Sequence, residues 1–524
     1  MKQENYNFGR YVLTRSDSRW ADLDEIKKSV SIKQIEIESG NCPVGGIPVI
    51  SDGYTAYVDG SDTHTIVFGS TGSKKTRLFV MPLISILAMA GESFITTDPK
   101  GELYTKTSGL VSANGYDTVV LNLRDLHQSD CWNPFALPHL LYHKGQVEDA
   151  ISILNDFLEA IAQPHRKGSK DPYFTNLSLS LALAHLLLFI DTASADQANI
   201  ANFAEFCATR STPADIETFF NNIPKGTIAA TNYKGILANK DAPATWGNVA
   251  AGVHAMLNIF IIRKSLSQML SKCSFDISDI GKKKTAVYII VPDEKTSLHF
   301  MVTTFIKQAY ETLINEAQMR EDRKLPVRVN FVLDEFCNIP SIPDMPSMIS
   351  AARSRNMRFF LIVQGLHQLK QNYGDDAYTI KGNCDNWVFL TSREYELLEQ
   401  ISKLCGNTYY RDDDGGIHTE TLISTSDLQR LSKEKGEVLI LHGRNYPFVT
   451  QLPDIDEYEF GNFPPEERAG RQLPKIKRYD IDKVFDQIKK KKRPLPFAAE
   501  VSASTYEDEI DRIMNPQKYE EFDW

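Results

Sequence analysis

Residues 65–76 read TIVFGSTGSKKT. The first four, Thr65-Ile-Val-Phe68, form a short β-branched and aromatic run that predicts a strand. They pass without a spacer into Gly69-Ser70-Thr71-Gly72-Ser73-Lys74-Lys75-Thr76, and an apolar helical stretch follows. A strand, a glycine-punctuated loop and a helix in immediate succession make a phosphate cradle. Backbone N–H groups of the loop and of the helix N-terminus point at anions there. All eight loop residues, Gly69 to Thr76, are therefore expected to hold ATP. Lys75 would reach the β- and γ-phosphates, and Thr76 would place its hydroxyl on Mg²⁺. One position departs from the usual GxxxxGK[ST] pattern, because Lys74 stands where glycine is expected. Glycine suits that place since the backbone approaches the phosphates closely, often in conformations that penalise a Cβ. A left-handed lysine would cost about 1–2 kcal/mol, which a tightly bound nucleotide could offset. Lys74 could instead add charge to the phosphate pocket, and the same departure is what a weakened or dead loop would show.

The partner motif lies far downstream. Val329-Asn-Phe-Val-Leu-Asp334-Glu335 is an apolar strand ending in two carboxylates. Asp334 is expected to hold Mg²⁺, directly or through water, and Glu335 to orient and deprotonate the attacking water. Two vicinal carboxylates are costly to bury without a cation, and Mg²⁺ supplies one. The next strand, Arg358–Val363, delivers Gln364 at its C-terminal end, where ligands bind in open α/β sheets. A polar residue there can sense the γ-phosphate or the lytic water. Ahead of that strand, Arg353 and Arg355 lie in a loop that could face a neighbouring subunit and supply an arginine finger. A solvated basic loop explains the two arginines equally well. Asp98, ending the strand after the phosphate-loop helix, could accept from bound water or order Lys75, while Pro99 and Gly101 make a turn.

Strands and helices alternate from Thr65 to Asp130, which predicts an α/β, doubly wound and mostly parallel sheet. Strand patterns resume at Thr285–Val291, Val327–Leu333, Arg358–Val363 and Trp387–Thr391. Between them, VEDAISILNDFLEAI and WGNVAAGVHAMLNIFIIRKSL carry 3.6-residue apolar spacing, so an all-helical domain is inserted in the sheet. The expected layout is a lead-in segment over 1–60 and a nucleotide-binding domain over 61–144 and 273–462. The all-α insertion occupies 145–272, and a charged tail 463–524. That tail, with Lys489–Arg493 and the acidic YEDEIDRIM and YEEFDW, is expected to lack a core of its own.

The chain has 524 residues, 42% hydrophobic and 24% charged, as in ordinary globular proteins of more than one domain. A formal net charge of −10 argues against a protein that coats nucleic acid everywhere, though not against a locally basic channel. Seven cysteines without any CxxC pair fit reduced thiols rather than a disulfide framework or zinc site. The longest apolar runs, Leu78–Ala90 and Leu177–Ile190, fall short of the roughly 18 residues of a bilayer span. The polar start, MKQENYNFGR, has no signal-peptide core. A cytoplasmic location is expected, with recruitment to the inner face of the cell membrane by a membrane-embedded partner.

GSTGSKKT, Thr97-Asp-Pro-Lys-Gly-Glu-Leu-Tyr104, Cys131-Trp-Asn-Pro-Phe135, LDEF (Leu333–Phe336) and IVQGLHQL (Ile362–Leu369) occur in one order. That order, with the closing PFVTQLPDIDEYEF, resembles the TraG-like coupling proteins of type IV secretion, relatives of the FtsK/HerA motors, over residues 60 to 460. The resemblance implies a RecA-like P-loop NTPase domain, the all-α insertion and a homo-hexamer around a DNA channel. It implies ATP hydrolysis between subunits, with Arg355 or Arg353 as the finger. It also implies docking of a relaxase and relaxosome proteins bound to transferred single-stranded DNA. Many relatives begin with transmembrane helices, and this chain shows none. The alternatives are a non-hydrolysing or weakly hydrolysing adaptor for the relaxosome, and another FtsK/HerA-like DNA translocase.

Overall fold

In the computed structural model the described residues are 18–166, 172–411 and 414–491. The N-terminal MKQENYNFGR and the acidic stretches YEDEIDRIM and YEEFDW lie outside them, as does the end of the basic run Lys489–Arg493.

Strands β1 (Ile32–Glu36), β2 (Ile47–Ser51) and β3 (Thr55–Asp59) make a small antiparallel sheet in the order β1-β3-β2. The chain then lays down β4 (Thr65–Phe68), β5 (Ser93–Asp98), β6 (Asp117–Asn122), β7 (Thr285–Ile290), β8 (Val329–Leu333), β9 (Met357–Val363) and β10 (Asn386–Phe389). A hairpin of β11 (Asn407–Arg411) and β12 (Ile417–Thr421) precedes β13 (Glu437–His442) and β14 (Phe448–Gln451). Nine of these strands form one sheet in the order β14-β13-β10-β4-β9-β8-β5-β7-β6. The pairs from β10 to β7 are parallel, whereas β13 and β14 add an antiparallel edge. A parallel sheet carries helices on both faces, so its strands are covered along their whole length and largely apolar. Every residue of β4, β5, β7, β8 and β9 is indeed buried.

One of those buried residues is an arginine. Arg358 in β9 is 1% exposed. Its guanidinium donates to Asn330 Oδ1 at 2.9 Å, Ser61 O at 3.0 Å, Gly45 O at 3.2 Å and Glu92 Oε2 at 2.5 Å. A buried charge persists only when paired and hydrogen-bonded, and this one is. It fastens the loops flanking the small sheet to the centre of the large one.

The chain divides into two compact units. One holds residues 18–118, 278–294 and 313–467; the other holds 119–277, 295–312 and 468–491. The second unit is helical at its centre, with Val147–Arg166, Pro172–Thr192, Ile200–Thr209, Pro213–Asn222, Ile228–Leu237 and Pro243–Ile262. Its core is aromatic: Phe135 meets Phe157 and Phe203 at 5.2 and 5.7 Å between ring centroids. Asn133 before it caps the turn, accepting from Phe135 N at 3.0 Å and donating to Ala198 O at 2.8 Å.

One sequence expectation changes here. By length and composition alone, Tyr173–Thr192 and Pro243–Ile262 are long and apolar enough to cross a membrane. The sequence pattern missed both, because the helices run past the uninterrupted apolar stretch into alanines, glycines and isolated polar residues. Tyr173–Thr192 is mostly buried within its unit, while Pro243–Ile262 is about one-third buried. The described part of the tail differs from a free charged end. Arg468 and Arg471 both pair with Asp130, and Asn202 holds Lys477 O at 2.9 Å. Tyr479 enters the aromatic core, 4.9 Å from Phe189 and 5.8 Å from Phe206. A helix over Ile481–Lys491 follows, and Phe485 lies 5.9 Å from Phe219. The described tail residues are held on the core of the helical unit.

Candidate functional site

Four adjacent parallel strands, β4-β9-β8-β5, end at the same edge of the sheet. Each delivers a polar group there: the loop Gly69–Thr76 after β4, Gln364 after β9, Asp334 and Glu335 after β8, and Asp98 at the end of β5. Residues spread over almost 300 positions of sequence are thereby brought together.

The loop is pinned from both sides, with Gly69 N donating to Val363 O at 3.2 Å and Ser70 N to Thr391 O at 2.9 Å. Lys75 curls over it, buried, its ammonium 2.6 Å from Gly69 O and 3.8 Å from Glu335 Oε1. Gly69 has no room for a side chain, since a Cβ would stand 2.5 Å from Ser73 Oγ and 2.8 Å from Lys75 Cγ. Thr76 opens a five-residue π-helical turn, Thr76–Val80, before the α-helix Met81–Ala90. Such turns are often found at functional sites. The Thr76 hydroxyl donates to Asp334 Oδ2 at 3.3 Å. Glu335 is left-handed, φ 51°, and its Oε2 accepts from Gln364 Nε2 at 2.8 Å. Thr71 Oγ1 donates to Gln364 Oε1 at 3.3 Å, closing a ring from the loop to the carboxylates.

Burial pushes the Asp334 carboxyl up to about 7, and the neighbouring Glu335 charge adds to the rise. Asp98 is raised to about 6, again chiefly by burial. Asp98 does not order Lys75. Its Oδ2 accepts from Tyr104 N at 2.8 Å, capping the helix Glu102–Ala113, while its Oδ1 is buried without a hydrogen-bond partner. Ser73 Oγ is likewise buried and unpartnered. Among the described residues no group of three or more His, Cys, Asp or Glu is placed to hold a metal by itself. A Mg²⁺ at Thr76 and Asp334 would therefore need phosphate oxygens to complete its shell, as Mg²⁺ usually does. A buried carboxylate of raised pKa, orphaned polar atoms and a loop glycine, Gly69, with no room for a Cβ together fit a magnesium–nucleotide.

Lys74 is left-handed, φ 65°, the strained conformation that glycine would adopt freely. Its ammonium lies 3.3 Å from Glu434 Oε2, and Lys433 Nζ is 3.5 Å from Gly72 O. The turn before β13 thus touches the phosphate loop, a contact no motif announces. Arg77, at the start of the helix, is clasped by Asp454 and Asp456, with Nε 2.9 Å from Asp454 Oδ2. Those aspartates belong to the closing PDIDEYEF stretch, which gives that stretch a structural purpose.

The two arginines stand elsewhere. Arg353–Arg355 is a short 3₁₀ turn before the first residue of β9, whereas Gln364 follows its last. Seven strand residues at about 3.3 Å each separate them, roughly 20 Å. Arg353 pairs with Asp385 at 3.1 Å, and Arg355 donates to Ala351 O and Ser354 Oγ, both at 2.9 Å. Within one chain neither arginine reaches the phosphate loop, so any finger must act on a neighbouring copy.

The model of the family described as Type IV secretory system Conjugative DNA transfer matches residues 19–440. The protein VirD4 of Rhizobium radiobacter is 22% identical over 414 residues, covering 75% of this chain and 55% of its own length. VirD4 of Agrobacterium fabrum is 22% identical over 409 residues, covering 75% and 57%. The chain thus spans a little over half the length of these curated relatives. The solved structure of the bacterial conjugative coupling protein TrwBdeltaN70 superposes with a TM-score of 0.59 at 13% identity, covering 88% of this chain and 96% of that one. Plasmid coupling protein TrwB in complex with the ATP analogue ADPNP gives 0.58 at 13% identity, covering 88% and 97%. At that identity the likeness speaks for the fold, a RecA-like P-loop NTPase.

Proposed function

The chain belongs to the type IV secretory conjugative DNA transfer family of TraG/VirD4-like coupling proteins, and on that premise we propose that it hydrolyses ATP to drive single-stranded DNA to a conjugative secretion channel. The observation that carries the proposal is the closed ring Thr71–Gln364–Glu335–Lys75 beside Thr76–Asp334. Lys75 would lie along the β- and γ-phosphates, and Thr76 with Asp334 would hold Mg²⁺. Bound Mg²⁺ neutralises phosphate oxygens and the Asp334 charge together. Glu335 accepts the proton of the attacking water, and Gln364 fixes the Glu335 carboxylate and the direction of that water. Arg355, or Arg353, serves as a finger toward the adjacent copy of a homo-hexamer.

The partners we propose are single-stranded DNA, a relaxase with its relaxosome proteins, and a membrane-embedded component that recruits the chain to the inner face of the cell membrane. Docking of protein partners is assigned to the helical unit. The strained Lys74, tied to Glu434, supports a second reading in which hydrolysis is slow and the chain works mainly as a nucleotide-binding adaptor. Steady-state ATP hydrolysis with Mg²⁺, measured with and without single-stranded DNA, separates the two. DNA-stimulated turnover supports the motor, nucleotide binding without turnover supports the adaptor, and failure to bind nucleotide overturns both.

A further inference from the structure

Gln364 sits between the last residue of β9 and the helix Leu366–Tyr373, so its direction depends on how that helix begins. The residue at the helix cap, Gly365, has no side chain with which to hold the first turn. The free N–H groups go instead to a residue almost 30 positions away: Glu394 Oε2 accepts from Leu366 N at 2.9 Å, and Oε1 from His367 N at 2.8 Å. A carboxylate taking two initial amides satisfies donors that would otherwise be orphaned, and its charge complements the helix dipole. Glu394 is itself fixed, its N–H donating to Ser392 Oγ at 3.1 Å. Gly365 makes the approach feasible, because a Cβ there would stand 2.0 Å from Glu394 Oε2. One turn along the helix, Gln368 Nε2 lies 3.4 Å from Gln364 Oε1.

We propose that Glu394 is a positioning residue that sets Gln364 against Glu335 by clamping the N-terminus of the helix Leu366–Tyr373. This rests on the reading of Gln364 and Glu335 given above. Glu394 touches no reacting group; it acts through Gln364. It immediately precedes the helix Tyr395–Cys405, whose Glu396 also pairs with Lys370 on the clamped helix. Any shift of the segment that carries the β11–β12 hairpin would therefore be felt at Gln364.

The test compares single-turnover ATP hydrolysis by the full chain with Glu394→Ala, Gly365→Ala, Gln364→Ala and the Glu394→Ala/Gln364→Ala double variant. Nucleotide affinity and amide hydrogen exchange at Leu366 and His367 are followed alongside. Glu394→Ala should slow hydrolysis by about 10- to 100-fold, the scale expected when a catalytic group is displaced by an ångström. Nucleotide Kd should stay unchanged and exchange at the two amides should accelerate. Gly365→Ala, which evicts the carboxylate while leaving it in the chain, should do the same and serves if Glu394→Ala does not fold. The double variant should be no slower than Gln364→Ala alone, since coupled residues are not additive. Normal hydrolysis by Glu394→Ala beside a slow Gln364→Ala, or additive losses in the double variant, overturns the proposal and leaves the role of Gln364 intact. Normal hydrolysis by Gln364→Ala overturns both. Unchanged amide exchange in Glu394→Ala overturns the clamp whatever the turnover.

Discussion

Replacing Asp334 with asparagine should stabilise the nucleotide-free protein, although the residue lies at the heart of the proposed site. In the fold its carboxyl titrates near 7, against an ordinary value of 3.8, because burial and the Glu335 charge oppose ionisation. A carboxyl raised on folding adds stability that is complete below its unfolded pKa and is lost as pH climbs through the folded one. Its loss therefore runs between about pH 4 and pH 7, and at pH 8 holding the anion costs about 4 kcal/mol relative to a neutral group, or about 1.5 kcal/mol at pH 5. An asparagine amide in its place would carry no such dependence. Thermal unfolding of wild type and Asp334→Asn, from about pH 4.5 to 8.5 without nucleotide, should give midpoints that diverge with rising pH and stop diverging above about 7. At about 2 °C per kcal/mol for a unit of this size, the separation at pH 8 approaches roughly 8 °C. Mg²⁺ with ADP should invert the order, because the cation favours the anionic carboxylate and should stabilise wild type most at high pH. A separation independent of pH, or a less stable Asp334→Asn at pH 8, would refute the electrostatic reasoning.

Glu335→Gln should keep nucleotide affinity while single-turnover hydrolysis falls by about 10²–10⁴-fold, the usual contribution of a general base. Lys75→Ala should lose ATP binding and turnover with its far-ultraviolet circular dichroism unchanged, since the lysine's contacts are with loop carbonyls and Glu335. Lys74→Gly should raise the unfolding midpoint of the nucleotide-binding unit by about 2 °C, through release of about 1 kcal/mol of left-handed strain. Its turnover should be equal to or faster than wild type; slower turnover would mean that the Lys74 side chain acts on nucleotide. Tyr479→Ala should destabilise the helical unit by about 3 kcal/mol, by the measure of other buried aromatics, in urea unfolding. Nucleotide affinity should not follow.

The fold class and most of the proposed site residues were legible in the sequence because both depend on local pattern. A largely apolar strand ending in Gly69–Thr76, and another ending in Asp334-Glu335, each declare the end of a parallel strand without knowledge of their neighbours. The helix Val147–Arg166 was equally legible, since 3.6-residue spacing is a property of the segment alone. What the sequence could not show is strand order. Thr71 and Gln364 are 293 positions apart, and only the adjacency of β4 and β9 makes them partners. Glu394, Glu434 and Asp454 carry no motif, because each acts by charge on a backbone amide or a basic group supplied by another part of the chain. Arg358 looked like an ordinary edge of a strand until Glu92, Asn330 and two carbonyls closed around it in the core. The tail shows the same limit, for composition described its charge, while its hold on the helical unit depends on the aromatic cavity that receives Tyr479. Local pattern determined which segments are strands, helices and phosphate loops; pairing, burial and long-range ion pairs exist only once the sheet has assembled.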